Sequence, residues 1–360
     1  MATTSVQKKS SWLRKGFLVY IFLSLVVLLT LFFTTSGSRE LRVFLHLRWA
    51  YLAPLLLVIF LRIIFDGLGL QVLVPKSVTL SLSEAIKIRL MGIYFAVAVP
   101  ISSSHVYFQA YLLSRYGLGY AESLGLITLR TVLPTAFFIF LIPLSFFVQL
   151  PFGDVRFLHH ILQITALSVA GIVVLILAFL LFPRQLAAFF EWIYRLLLKI
   201  RLFNLKRYEK WNQITRDSVW KISRLFQDYV KNRPGTLVLS LLYIVVSFLF
   251  EFLVAPCALW LLGFSVPFAQ LFFFQFFLKI IVQYAPTPGG SGVDELTYAG
   301  LFALFLPKEM VAIAVFVWRF FHAYLLIFLG AILTFLQFGP RTGGEFRQIV
   351  TSQQSPNVQA

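Results

Sequence analysis

Gln283-Tyr284-Ala285-Pro286-Thr287-Pro288-Gly289-Gly290-Ser291-Gly292-Val293-Asp294-Glu295 sets two prolines, three glycines and two carboxylates inside an otherwise apolar region. Such a backbone cannot continue a lipid-facing helix, because amides and carbonyls left unpaired in hydrocarbon cost several kcal/mol each. It must be shielded by protein or line a wet cavity. That makes it the first place to look for a polar passage through a membrane.

The composition of the rest demands that setting. Of all residues 59% are hydrophobic, 17% aromatic and only 12% charged, against roughly 25% charged in soluble domains. The fold class is therefore an all-α polytopic integral membrane protein. The excess of 31 Lys and Arg over 14 Asp and Glu suits orientation and contact with anionic lipid, and a nucleic-acid partner is not expected. Cys257 is the single cysteine, so neither an internal disulfide nor a cysteine-based metal site is available. No cofactor is expected.

Lys8, Lys9, Arg14 and Lys15 precede an apolar run from Gly16 to about Thr35. The charge layout is that of a signal sequence, but the run exceeds the usual hydrophobic region, so it is a retained first span. Further spans are expected near 49–65, 120–149, 161–182, 236–262 and 310–337, each long enough for about 30 Å of hydrocarbon. This predicts six crossings, with a basic N-terminus at 1–15, a transmembrane domain at 16–338 and a polar tail at 339–360. No soluble transferase domain is expected in that tail.

Two apolar segments fit the crossing count poorly. Residues 84–99 end at Pro100 and resume after Ile101-Ser102-Ser103-Ser104-His105, and residues 267–285 end at Pro286 and resume after the glycines to about Leu306. A 16-residue arm reaches only about 24 Å at 1.5 Å per residue, so each is expected as a re-entrant hairpin rather than two crossings. Residues 184–233 carry twelve basic side chains against four acidic ones. By the positive-inside rule that loop and both termini face the cytoplasm, in a cytoplasmic (inner) membrane. The first hairpin then enters from the cytoplasm and the second from the opposite face, although Arg39, Arg42 and Arg48 argue against this layout. Pro100 precedes Arg130 much as Pro288 precedes Arg319. Opposed hairpins with matched spacing suggest inverted repeats around a midplane site.

The same positions suggest a mechanism. Gly289, Gly290 and Gly292 let backbone N–H groups converge ahead of a helix start, a geometry that attracts lipid phosphate, and Ser102, Ser103 and Ser104 can do likewise. Arg130 and Arg319 would counter the phosphate charge, and His105 sits at a hairpin tip. Asp294 and Glu295 either stabilise a helix dipole or meet a cationic headgroup or proton. Arg62 and Asp66 read as a local pair or as snorkelling groups. Glu251 and Lys279 either pair with each other or join the site, and His322 is a packed hydrogen-bonding residue or a member of it. The loop 184–233 mixes aromatic and basic residues, as either a solvated connector or amphipathic helices that gather anionic lipid.

The run from Ile281 to Glu295, with Pro307, Trp318-Arg319 and Gly330, resembles the signature of the lysylphosphatidylglycerol synthase transmembrane-region family of flippase-like membrane domains. Val99-Pro100, Tyr111-Leu112-Leu113, Gly117 and Arg130 are similar to that family's first-half motif, from which Ser103, Ser104, His105 and Gln109 depart. The resemblance implies the flippase-like half without the lipid-modifying enzyme. With no Gly-rich nucleotide loop in the chain, the leading expectation is translocation of an anionic phospholipid or lipid-linked headgroup without ATP hydrolysis. An integral-membrane headgroup enzyme, using His105, Asp294 and Glu295, and a non-catalytic scaffold are the alternatives. Expected partners are anionic or polyprenyl-linked membrane lipid, a second copy of the chain, and a separate lipid synthase or glycosyltransferase.

Overall fold

In this computed structural model the residues described are 22, 24–34, 44, 46–99, 104–147, 171, 174, 182–199, 205–283 and 290–338. Every regular element among them is helical. In chain order they are α1 (Ser24–Thr34), α2 (Leu52–Leu73), α3 (Leu82–Ala98), α4 (Ser104–Ser114), α5 (Tyr120–Phe147), α6 (Pro183–Lys199), α7 (Leu205–Asn232), α8 (Pro234–Leu261), α9 (Phe268–Gln283), α10 (Val293–Phe302), α11 (Lys308–Arg319) and α12 (Leu325–Phe338). A 3₁₀ turn, Trp49–Tyr51, leads into α2, and a π-helical turn, Phe320–Tyr324, joins α11 to α12.

Among the described residues three helices are long and apolar enough to cross a membrane: Trp49–Leu73, Pro234–Leu261 and the joined Lys308–Phe338. They coincide with three of the six expected crossings. The expected span at 120–149 falls on α5, which carries Glu122 and Arg130. Residues 1–15, most of 161–182, the 150–160 loop and the 339–360 tail lie outside the described residues, as do Pro100, Ser102, Ser103, Pro286, Pro288 and Gly289.

Local sequence explains how the helices begin and end. Ser81 and Glu84 form a reciprocal cap at the start of α3, with Ser81 N–H 2.7 Å from Glu84 Oε2 and Glu84 N–H 3.2 Å from Ser81 Oγ. Each bond satisfies an amide that helix geometry leaves unpaired. Pro256 lies inside α8 and has no N–H for the carbonyl four residues back. That carbonyl, on Phe252, is taken instead by Gln275 Nε2 of α9 at 2.9 Å. A side chain replaces the missing backbone donor where water is absent.

The chain divides into two compact units. The first comprises residues up to Ile63, Ile86–Phe108 and Phe248 onward. Its core runs through Leu55, Val254, Leu271, Phe302, Val315 and Trp318. On either side of the first break, Phe95 of α3 stacks on Phe108 of α4 at 3.4 Å between ring centroids, and Ser104 Oγ donates to the Phe95 carbonyl at 3.1 Å. The second unit, Ile64–Ala85 and Gln109–Ser247, packs α7 against both α5 and α6. Tyr229 OH donates to the Leu73 carbonyl, and burial pushes its pKa up, which keeps the phenol protonated as a donor.

Gly330 of α12 sits against α3 with no room for a side chain. A Cβ there would lie 2.2 Å from the Leu90 carbonyl oxygen and 3.1 Å from Tyr94 Cβ. Small residues let membrane helices approach at backbone distance. Gly330→Ala is expected to destabilise the protein by about 1–3 kcal/mol, as overpacking does, read as a lower unfolding temperature in detergent.

Candidate functional site

The start of α10 is shaped by Gly290, Gly292 and Glu295. Gly290 and Gly292 have φ of 71° and 84°, backbone angles that L side chains rarely adopt. They turn the chain into α10, where Gly292 N–H donates to Glu295 Oε2 at 2.7 Å. Asp294 and Glu295 therefore occupy the first turn of α10, both buried. The helix-start amides meet a carboxylate of their own chain.

Arg319, the last residue of α11, is 1% exposed and reaches both acids. It donates through Nη1 to Asp294 Oδ2, and its Nε lies 3.1 Å from Glu295 Oε1. Glu295 also accepts from Ser24 Oγ of α1, and Ser24 in turn accepts from Tyr324 OH at 2.9 Å. A charge buried this deeply is tolerated only when opposite charge meets it.

Glu251 of α8 is the centre of a second cluster in the same unit. Its Oε1 lies 2.5 Å from Lys279 Nζ of α9 and 3.1 Å from His322 Nε2, and its Oε2 lies 3.2 Å from Arg62 Nη2 of α2. Arg62 Nη1 donates as well to the His322 carbonyl at 3.0 Å. The π-helical turn supplies this geometry: Leu325 N–H bonds back to the Phe320 carbonyl, five residues earlier. Such turns recur at functional sites because they re-aim side chains within one helix. Here Trp318 stacks between Tyr298, at 3.5 Å, and His322, at 4.7 Å, while Tyr298 OH donates to Gln275 Oε1 at 3.4 Å.

Among the described residues, two wholly buried polar side chains of this unit, Ser291 and Trp318, have no hydrogen-bond partner for Oγ and Nε1 respectively. Buried donors are nearly always satisfied, so each such atom calls for an acceptor.

The structure thus brings Gly290, Gly292, Asp294, Glu295, Arg319, Glu251, Lys279 and His322 into one unit. Glu251 and Lys279 do pair with each other, within a larger cluster. Arg130 belongs to the second unit, where it donates to the carboxylate of Asp66 and, at 3.1 Å, to the Asp66 carbonyl. Arg62 and Asp66, adjacent on α2, each reach another helix. Ser104 is buried and bonded to α3, and His105 is half-buried in the first turn of α4.

Ser24, Ser291, Tyr298, Trp318 and Tyr324 were not among the residues expected from sequence. Ser24 interrupts the first apolar run near its middle, which is the signal that marks it.

Residues 17–330 match the family described as the lysylphosphatidylglycerol synthase TM region. This chain belongs to that family. It is 22% identical over 255 residues to a UPF0104 membrane protein of Archaeoglobus fulgidus, covering 70% of this chain and 76% of that protein. No solved structure matches. Within the family signature, Glu295 and Arg319 form the buried pair and Gly330 the close helix contact described above.

Arg319→Met would leave Asp294 and Glu295 buried without their counter-charge. Breaking a buried pair from one side costs about 3–5 kcal/mol, so this variant is expected to melt well below the parent in detergent. Arg319→Met combined with Asp294→Asn and Glu295→Gln should recover much of the loss.

Proposed function

We propose that this membrane protein moves an anionic phospholipid or lipid-linked headgroup across the cytoplasmic membrane without hydrolysing ATP. The observation that carries this is the Glu251 cluster, where one carboxylate meets Lys279, Arg62 and His322 among apolar helices. Ionisable groups placed in a membrane interior are costly and mark substrate or ion paths. The unsatisfied Ser291 Oγ and Trp318 Nε1 add donors suited to phosphate oxygens. Membership of a lipid-synthase transmembrane family supports a lipid as cargo.

Within this proposal the residues divide by how fully they are paired. Arg319, held by two acids, fixes the broken backbone. Lys279, with 27% of its side chain exposed, is the cation that meets the headgroup. Gly290 and Ser291, which follow Pro286, Pro288 and Gly289 in the sequence, offer donors. In sequence order Ser102, Ser103 and His105, followed by Arg130, are the counterpart in an inverted repeat, and both hairpins are re-entrant among six crossings. Removing the headgroup's exposure to hydrocarbon is the barrier that such a protein lowers.

The test is a sidedness assay on the reconstituted protein, using phosphatidylglycerol with a fluorescent headgroup label and an impermeant quencher. The parent is expected to speed equilibration between leaflets. Lys279→Gln leaves Glu251 paired with Arg62 and His322, so folding should survive. Losing one charge-assisted contact to the passing headgroup should slow movement roughly ten- to a hundredfold. Ser291→Ala should slow it less. Parent-like rates in both variants would remove the proposed site, an altered headgroup mass would favour an enzyme, and neither movement nor chemistry would favour a scaffold.

A further inference from the structure

Helix α6 carries an apolar stripe that the rest of the protein leaves uncovered. Phe182, Phe189, Trp192 and Leu196 are 50%, 52%, 59% and 45% exposed, and at 3.6 residues per turn they fall along one side. The other side is occupied. Ala187 is buried, Tyr194 OH shares a 2.7 Å hydrogen bond with Thr215 Oγ1 of α7, and Tyr208 OH of α7 lies 3.5 Å from Glu191 Oε1. The stripe is therefore not the face that holds α6 to its neighbour.

Charge borders the stripe on one flank. Arg184, Arg195 and Lys199 are exposed, and helical spacing sets them along the same edge of the apolar band. Glu191, the acidic residue of α6, is engaged by Arg195 at 2.6 Å. Arg184 and Lys199 have no carboxylate partner among the described residues. On α7, Arg216, Lys221 and Arg224 are exposed as well, with Asp217 among them.

A surface that pairs hydrocarbon with anionic oxygens in one plane is what this pattern fits. A second copy of the chain would bring another basic rim of the same sign into the contact. A bilayer leaflet supplies acyl chains beneath the aromatic residues and phosphates beside the cations. The position in the chain agrees, since α6 starts where the apolar 161–182 segment ends, and Trp favours the level of the headgroups.

We propose that α6 lies in the headgroup layer of a leaflet containing anionic phospholipid, with Phe189, Trp192 and Leu196 in the acyl region and Arg184, Arg195 and Lys199 at the phosphates. The seat is rigidly coupled to the rest of its unit. α7 packs on α5 so closely that a Cβ on Gly125 would be 3.3 Å from Leu225 Cδ1. The proposal depends on residence in a membrane and is independent of what the protein moves.

Cys257 is the one native thiol and is buried, so single labels can be introduced into the full-length Cys257→Ala protein. Nitroxides at Phe189→Cys, Trp192→Cys and, for comparison, Arg216→Cys are read in vesicles of phosphatidylcholine with or without phosphatidylglycerol. Labels at 189 and 192 are expected to be relaxed by oxygen and shielded from a water-soluble nickel chelate, with the reverse at 216. Adding phosphatidylglycerol is expected to increase that contrast, and Arg184→Gln with Lys199→Gln to abolish the increase. Relaxation by nickel at 189 and 192 would place the stripe in water, and protection from both reagents would place protein over it. Either result overturns the proposal, as does a contrast indifferent to phosphatidylglycerol.

Discussion

Arg319 between Asp294 and Glu295 is the contact on which the architecture of the first unit rests. A guanidinium at 1% exposure in an apolar helix pair is tenable only when its charge is met at once, and the same two carboxylates sit where the chain restarts after its break. Pairing joins three problems into one solution: the buried cation, the buried acids and the unpaired amides of the α10 start. Ser24 and Tyr324 extend the solution to α1 and the π-helical turn. Remove any member and the others become uncompensated polar groups in hydrocarbon.

The Glu251 cluster follows different logic. There one carboxylate is approached by three basic side chains, and Lys279 keeps more than a quarter of its side chain open. Two differently arranged sets of charge thus occur in the same unit. Under the proposed function the first is scaffold and the second is where the headgroup arrives.

Much of this was legible in the chain before any coordinates. Proline and glycine at 286–292 cannot sit in a lipid-facing helix, so the break, the helix restart at Val293 and the acids of its first turn followed from backbone chemistry alone. The long apolar runs predicted spans near 49–65, 236–262 and 310–337, and helices long and apolar enough to cross a membrane cover Trp49–Leu73, Pro234–Leu261 and Lys308–Phe338. What stayed hidden depends on distance and register. Ser24 meets Glu295 across nearly the whole chain, and no local periodicity reports such a contact. His322 and Tyr324 reach their partners because the helix takes a wider turn between 320 and 324, which a regular 3.6-residue projection misplaces. Arg62 and Asp66 match the spacing of a local pair, and that spacing does not report that Arg62 also reaches Glu251 of α8 and Asp66 also reaches Arg130 of α5.

Pro256 and Gln275 form a dependency that neither helix reveals by itself. The ring at 256 strands the Phe252 carbonyl, and the amide at 275 reclaims it. A donor restored at 256 would share that oxygen with the glutamine nitrogen, since a carbonyl has two lone pairs. An apolar residue at 275 alone would strand the oxygen. The cost of a change at 275 is therefore set by the amino acid at 256, a hidden penalty that neither position shows by itself.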